Sequence, residues 1–474
     1  MQDLQDKFTK NVATIGPAAD TEEDLEKMVE AGMNVARFNT KHSTPEWHQE
    51  RIARVKRVAR KLNKPIATLL DLQGPEIRID LPQEKSFEVK IDDIVHFTFN
   101  PKLDRKNLIL IPKNVVQTVS VDNLILIDDG FCEFVVTNKG KEYLEAKTLN
   151  DATVKHRKTM NIPGITIDMP SLIEADYAQL DGIKEDLVDF VALSFVRSRE
   201  DIDFLRDELK KRNVTAGIVA KIETQAALDN LEEIVDVSDA VMVARGDLGV
   251  EMPMEEMVYW QKIIVNMCRA KGKPVITATQ MLKSMVDFPR PTRAEVSDVA
   301  HAVYGCTSAV MLSEETTIGA FPVKAVKTQA KIALFNEKKV IDTFDFDDMD
   351  LDGRTSFIAR SVVKLLENVP SAAKVIVCLT ATGRSANIIA SLRPRVPIVA
   401  VTHNQDTYYR LALSYAVSPQ LVDSEVIGEN NIKEILAHLK ERGVLRSGQK
   451  VVTVAGDTPL VPGFTNTMGF HVVK

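Results

Sequence analysis

The sequence predicts an α/β fold: a (β/α)8 TIM barrel with an inserted all-β lid domain, followed by a C-terminal open α/β domain. Three observations carry that prediction. Eight short apolar runs alternate with helical stretches, residues 75–166 interrupt the series without a helical period, and a shorter βα series follows an acidic linker. The length of 474 residues is enough for several hydrophobic cores.

NVATIG opens the series, and TEEDLEKMVEAGM supplies its helix. Thr21 is the N-cap candidate, acids fill the first turn, and Leu25, Met28, Val29 and Met33 recur at helical spacing. NVARFN is the second strand. Its helix starts at Thr44 and Pro45, a cap and a first-turn proline, with Ile52, Val55, Ala59 and Leu62 as the buried stripe. PIATLLD, VDFVALSF, AGIVAKIE, AVMVARGD, PVITATQ and SAVMLS complete the eight. Such barrels keep their chemistry at the C-terminal strand ends. Those ends carry Gly16 and Pro17, Arg37 and Asn39, Asp71, Ser194, Lys221 and Glu223, Arg245 and Asp247, Thr279 and Gln280, and Ser313.

The expected boundaries are 1–74 and 167–345 for the barrel, 75–166 for an inserted β-barrel lid, and 346–474 for the last domain. Within the insertion SFEVKI, IVHFTF, LILIP, LILIDDG and FCEFVV read as strands, with NKG at 138–140 as a turn. Its place on the rim of the barrel suits a lid. In the linker, Asp348, Asp350, Asp352 and Gly353 imitate the start of a calcium loop. Ala359 stands where the bidentate glutamate is required, so no EF-hand is expected. AKVIVCLTATGRSANIIASL, VPIVAVTH and KVVTVAGD form the second βα series.

A net charge of −7 argues against non-specific nucleic-acid binding, so an anionic ligand must be met by local cations. No apolar run approaches the ~18 residues of a membrane span. The N-terminus has neither signal-peptide nor transit composition, and the four cysteines show no metal or disulfide spacing. These features lead us to expect a cytoplasmic protein with reduced thiols.

KIE at 221–223 puts Lys221 and Glu223 on one strand face, and ARGDLG adds Asp247 one strand over. Two carboxylates without His or Cys suit Mg²⁺, and a lysine beside it can stabilise a transferring phosphoryl group. The alternative is a structural ion pair. The backbone of Ala244, Arg245 and Gly246 precedes a helix, either offering N–H groups to an anion or only making a turn. TATGRSANII, with Thr380, Thr382, Gly383, Arg384 and Ser385, leads from a strand into a helix as a phosphate cradle or as a ligand-free cap. It lacks the P-loop signature, so no nucleotide-hydrolysis site is expected.

TIGPA, NVAR, DLQGPEIR, MNIPG, KIE, RGDLGVE, ATQML, PRPTRAEVSDVA and MLSEET occur in the order found in pyruvate kinases, over nearly the whole chain. What the resemblance implies is phosphoryl transfer from phosphoenolpyruvate to Mg-ADP, giving ATP and pyruvate in glycolysis. It implies that Lys221 stabilises the transferring group and that Arg37 holds phosphate. Glu223 and Asp247 would ligate Mg²⁺ or Mn²⁺. Ala244, Arg245, Gly246 and Asp247 with Thr279 would bind the substrate, Thr279 also serving the proton relay to carbon. His42, Arg78 and Lys158 would face the nucleotide, with Arg157 an equal candidate beside Lys158. The family also implies a homotetramer and a phosphorylated allosteric effector at TATGRS, such as AMP or a sugar mono- or bisphosphate.

Three departures from the family pattern stand out. SEET places Glu314 where glycine is usual, and YGCTS offsets Gly305 and introduces Cys306. The third is NTKH with DLQGPE. Asn39 and Asp71 of the usual K⁺ site are present, but Lys41 replaces the serine. Members that dispense with K⁺ carry Leu and Gln after that Asp and lysine in place of the Glu of GPE. Leu72 and Gln73 follow that pattern, whereas Glu76 is retained. The expectation is that the Lys41 ammonium fills the monovalent site and K⁺ is not required. The alternative leaves Lys41 in solvent or on Glu76, with a weakened K⁺ site. Competing functions are a Mg²⁺-dependent pyruvate-enolate aldolase or lyase on the same barrel, and a catalytically silent effector-binding paralogue. Arg37, Lys221, Glu223, Asp247 and Thr279 together disfavour the silent paralogue. Arg78 and Lys158 disfavour the lyase.

Overall fold

Three parallel strands start the chain's main sheet: β1 (Lys10–Thr14), β2 (Val35–Asn39) and β3 (Ala67–Asp71). The computed structural model describes residues 7–184, 187–340, 342, 353–423, 432–456 and 465–474. After β3 the chain leaves for the insertion, with β4 (Phe87–Val89), β5 (Ile94–Thr98), β6 (Leu108–Leu110), β7 (Leu124–Ile127), β8 (Cys132–Lys139), β9 (Tyr143–Thr148), β10 (Ala152–Val154) and β11 (Met160–Asn161). It returns for β12 (Phe190–Leu193), β13 (Gly217–Ile222), β14 (Ala240–Ala244), β15 (Val275–Ala278) and β16 (Ala309–Leu312). The order β1-β16-β15-β14-β13-β12-β3-β2 closes the barrel. All eight predicted strands are in it.

The helix signals resolve as read. Thr21 caps Glu22–Glu30 and Thr44 caps Pro45–Leu62, each accepting a backbone N–H three residues on. Two glycines of the TIGPA and DLQGPE motifs are required by contact. A Cβ on Gly16 would lie 2.6 Å from Thr317 Cβ. One on Gly74, which has φ +71°, would lie 2.8 Å from Ser194 Cβ.

The lid differs from expectation in three ways. Its strands form a six-stranded and a two-stranded sheet rather than a closed barrel, and a short helix, Lys113–Thr118, sits among them. Six residues are too few to display a helical period, although Val115 and Val116 do face the lid core. The turn falls two residues later than NKG, at 140–142, because β8 runs through Lys139 and Gly140 N–H bonds the Tyr143 carbonyl.

The last domain is a five-stranded sheet, β19-β18-β17-β20-β21, parallel except for the antiparallel edge strand β21. Its strands are β17 (Val375–Leu379), β18 (Ile398–Thr402), β19 (Val417–Leu421), β20 (Lys450–Gly456) and β21 (Thr465–Val472). The calcium-loop imitation at 348–352 lies outside the described residues, as does the boundary expected at 345/346. Among the described residues, no helix is long and apolar enough to cross a membrane, and the four cysteines are free and buried.

This domain seals the N-terminal end of the barrel. Ala412 and Leu413 join the interior cluster formed by Val12, Leu69, Met242, Met311 and their neighbours. Beside that plug, Lys56 Nζ pairs with Asp189 at 2.6 Å and lies 3.4 Å from the ring centroid of Tyr409. Asp189 accepts from the Thr68 N–H at 2.6 Å, which joins the bases of β3 and β12. The YGCTS departure also belongs to this seam. Cys306 takes the left-handed turn position, and its carbonyl accepts from the buried Arg393 guanidinium. Lys56→Met leaves the Asp189 carboxylate buried without its cation, and should cost on the order of 3–5 kcal/mol. A drop in the urea unfolding midpoint measures it.

Candidate active site

The geometry centres on Lys221. Its ammonium is buried at the top of β13, 2.7 Å from Glu223 Oε1 and 3.3 Å from Asp71 Oδ1, and it donates to Ser194 Oγ at 2.6 Å. Strand register explains the meeting. Asp71 ends β3 opposite Ala192 of β12, and Leu193 of β12 lies opposite Ala220 of β13. Arg37 joins from β2. Its Nε donates to Asp71 Oδ2 at 2.7 Å and its Nη1 to Thr14 Oγ1 at 2.9 Å.

Charge balance sets the protonation states. Burial alone would drive Lys221 toward neutrality, but Asp71, Glu223 and Asp247 outweigh it and raise its pKa, so the ammonium is retained. Burial would also raise Asp71, yet Lys221 and Arg37 hold it below the usual carboxylate range. Glu223 goes the other way. Burial, reinforced by Asp247, exceeds the pull of Lys221 and pushes its carboxyl up to about 7. Its Oε2 accepts from the Phe195 N–H at 2.7 Å.

Asp247 lies in the first turn of the helix Arg245–Glu251, which follows β14 directly. First-turn N–H groups have no carbonyl of their own helix to bond. Facing them is Thr279, whose Oγ1 would be 3.6 Å from a Cβ on Gly246. Thr279 and Gln280 both have positive φ, at 70° and 53°, a strained conformation held by its surroundings. The Arg245 guanidinium points away from these groups. It bonds Asp298 twice at 2.7 Å and reaches the Ala278 and Thr279 carbonyls. Arg245 therefore contributes its backbone here and not its charge.

Two buried carboxylate oxygens at this mouth, Asp71 Oδ1 and Glu223 Oε1, are met by Lys221, whereas Thr279 Oγ1 is buried without a hydrogen-bond partner. Buried polar atoms are rarely left so unless a ligand completes them. Glu223 and Asp247 are hard oxygen donors, close enough for the Asp247 charge to raise the cost of ionising Glu223. Among the described residues no group of three or more His, Cys, Asp or Glu forms a metal cage. Two carboxylates completed by water and substrate oxygens fit Mg²⁺.

Lys41 takes the second of the placements read from the sequence. Its ammonium pairs with Glu76 and does not sit between Asn39 and Asp71. Asn39 Oδ1 accepts the Lys41 N–H at 3.2 Å, and Asp71 is already held by Arg37 and Lys221. Glu76 is shared with Arg78, whose Nη2 donates to Oε2 at 2.6 Å while its Nη1 bonds the Arg157 carbonyl at 2.8 Å. Burial would raise the Glu76 carboxyl, but Lys41 and Arg78 hold it below its usual value. Lys158 Nζ lies 2.8 Å from Asp128, and the His42 side chain is exposed. Glu314 pairs with Lys283, with about half its side chain exposed.

Sequence reading missed several contacts. Ser194 was named only as a strand end, and neither Thr14 nor Phe195 was given a role. Asp129, in the DDG turn of the lid, was passed over as well. Burial and the Asp247 and Asp128 charges push its carboxyl up, so the lid brings an acid toward the mouth. The signal was two acids with positive φ between β7 and β8, visible in sequence only as LILIDDG.

The family model described as pyruvate kinase, barrel domain, matches residues 6–326, and that for the pyruvate kinase alpha/beta domain matches 356–471. A pyruvate kinase of Staphylococcus aureus is 38% identical, covering 98% of this chain and 80% of the relative. One of Staphylococcus epidermidis is 39% identical over the same shares. A crystal structure of a pyruvate kinase from Cryptosporidium parvum superposes with a TM-score of 0.91 at 32% identity, covering 100% of this chain and 97% of the other.

Glu223 binds its proton more tightly folded than unfolded, so in the metal-free protein it lowers stability increasingly as pH rises from 4.5 to about 7. Glu223→Gln removes that cost. Its stability gain over the wild type should grow by on the order of 2 kcal/mol between pH 5 and pH 8. Urea titrations at the two pH values measure the difference, and a gain independent of pH would contradict this charge assignment.

Proposed function

The chain belongs to the pyruvate kinase family, and from that premise we propose how its residues divide the work of the reaction. It is a phosphotransferase that moves the phosphoryl group of phosphoenolpyruvate to ADP, giving ATP and pyruvate. The P–O bond to the enol oxygen breaks and a P–O bond to the β-phosphate of ADP forms. The enolate left behind takes a proton at its methylene carbon.

The observation that carries the assignment is the buried Lys221 ammonium paired with Asp71 and Glu223 at the strand ends. The N–H groups of Arg245, Gly246 and Asp247 hold the substrate carboxylate, with Ala244 setting the start of their helix. Thr279 Oγ1 lies beside that carboxylate and holds the proton that reaches the methylene carbon. Lys221, fixed by Asp71, Glu223 and Ser194, stabilises charge on the transferring group, and Arg37 binds its oxygens. Held by Glu223 and Asp247, Mg²⁺ or Mn²⁺ would neutralise phosphoryl and enolate oxygens. Arg78 and Lys158 of the lid, together with the exposed His42, meet the nucleotide.

Lys41 is held on Glu76 and not in the K⁺ position, so Asn39 and Asp71 form a weakened K⁺ site. Two features support this. Asn39 and Asp71, the retained K⁺ ligands, are both engaged by the protein itself, and Leu72 and Gln73 follow the K⁺-independent pattern.

A phosphorylated effector binds at residues 380–385. Thr380 Oγ1 accepts the Gly383 N–H at 3.0 Å and Ser385 Oγ pairs with Thr465 Oγ1 at 2.7 Å, so the loop is shaped while Thr382 and Arg384 stay exposed. The protein is a cytoplasmic homotetramer. Met254, Val258, Tyr259 and Phe288 are exposed apolar residues of the barrel domain, and Met468, Phe470 and Val472 are exposed along β21, the edge strand among the described residues. Buried against like surfaces of partner subunits, they would give closed dihedral symmetry.

A coupled assay should show pyruvate formed from phosphoenolpyruvate only when ADP is present; ADP-independent pyruvate would favour the lyase reading. Replacing K⁺ by tetramethylammonium should lower wild-type turnover, and Lys41→Ser, which restores the usual serine, should lower the K⁺ concentration needed for half-maximal turnover. An unchanged K⁺ requirement in Lys41→Ser refutes the weakened-site reading. Phe470→Glu should sediment as a dimer.

A further inference from the structure

One hydrogen bond joins the lid to the substrate helix and has no part in the chemistry above. Asn161 lies on β11, the lid's last strand, opposite Leu126 of β7. Its Nδ2 donates to Glu251 Oε1 at 2.8 Å. Glu251 is the last residue of the helix Arg245–Glu251, one turn beyond Asp247 and on the same side of that helix.

The two elements are not close-packed at that point. A cavity of about 110 Å³ opens beside the bond, lined by Pro75, Ile77, Phe195, Asp247, Asn161 and Glu251 among others. Apolar contact therefore does not fix the lid against the helix there, and a directional bond crosses the gap. The helix has seven residues and no side-chain cap at its N-terminus. Arg245 ties its first turn to the barrel wall, and Asn161 ties its last residue to the lid. With anchors at both ends of so short a rod, releasing one permits a tilt that moves the N–H groups and the Asp247 carboxylate together.

We propose that Asn161 and Glu251 are a positioning pair through which the closed lid sets the orientation of the substrate-binding helix. Neither touches the reacting atoms. When the lid swings out, the bond breaks, and the substrate carboxylate site and one carboxylate of the metal pair lose their alignment. Closure thereby completes the site as well as covering it.

This inference rests on the pyruvate kinase reading, which wild-type turnover of phosphoenolpyruvate and ADP tests separately before any variant is compared. Asn161→Ala and Glu251→Ala should each lower kcat/KM for phosphoenolpyruvate on the order of tenfold, the loss expected for one hydrogen bond to a charged group. KM for phosphoenolpyruvate should rise while the melting temperature changes little. Glu251→Gln keeps the acceptor and should recover most of the loss. The double variant Asn161→Ala/Glu251→Ala should be no worse than either single one. In the wild type, amide exchange over residues 245–251 should slow when Mg-ADP is added, and in Asn161→Ala it should not. Additive losses in the double variant, or a wild-type kcat/KM in a folded Asn161→Ala, would overturn the proposal. If Asn161→Ala fails to fold, the Glu251→Ala and Glu251→Gln comparison makes the same distinction, with equal losses in both refuting it.

Discussion

A single buried ammonium holds this structure's functional end together. Lys221 stands among Asp71, Glu223 and Asp247, and without a cation at that point three acids would face one another inside a low-dielectric barrel mouth. The requirement is geometric before it is chemical. Strands β3, β12 and β13 must end at heights that bring Asp71, Ser194 and Lys221 within contact, which fixes the stagger of that part of the barrel. The base of the same strands is fixed by Asp189 and Thr68. One buried ion pair below and one charge cluster above thus hold β3 and β12 in register.

The distribution of charge also explains why one carboxylate differs from its neighbours. Asp71 accepts from Arg37 and faces Lys221, so its negative charge is compensated from two sides. Glu223 has one cation beside it and an acid one strand over, so it is the member most in need of a further positive charge. Glu223 and its neighbour Asp247 are therefore a selection device. They favour a hard cation together with an anionic substrate, and either alone leaves the mouth unbalanced.

Much of this was legible in sequence because it depends on local pattern. All eight barrel strands have apolar bodies with polar exits, and Thr21 and Thr44 cap the helices their spacing announces. Most elements overlooked are short or lie at edges: Lys113–Thr118, β10, the two-residue strand β11, and β19 and β21, whose partly exposed residues weaken any alternation. The exception is β9, an inner strand whose buried Leu144, Ala146 and Thr148 alternate and were there to be read. Within the site, residue types were readable and partners were not. Lys41 and Glu76 lie 35 positions apart, and only the folded loop after β3 decides that one meets the other. Ser194 Oγ on Lys221 and Asn161 on Glu251 likewise depend on strand endings that no local period encodes.

Ala412 and Leu413 fill the floor of a barrel built by another part of the chain. A cut between the two would uncover apolar side chains on both sides, so the chain is not a string of detachable modules even though its sequence divides like one. Free energy released by a ligand at residues 380–385 would accordingly protect the barrel from heat and proteases, with no change of shape required. For the same reason, swapping this domain between relatives would need the floor residues to travel with it.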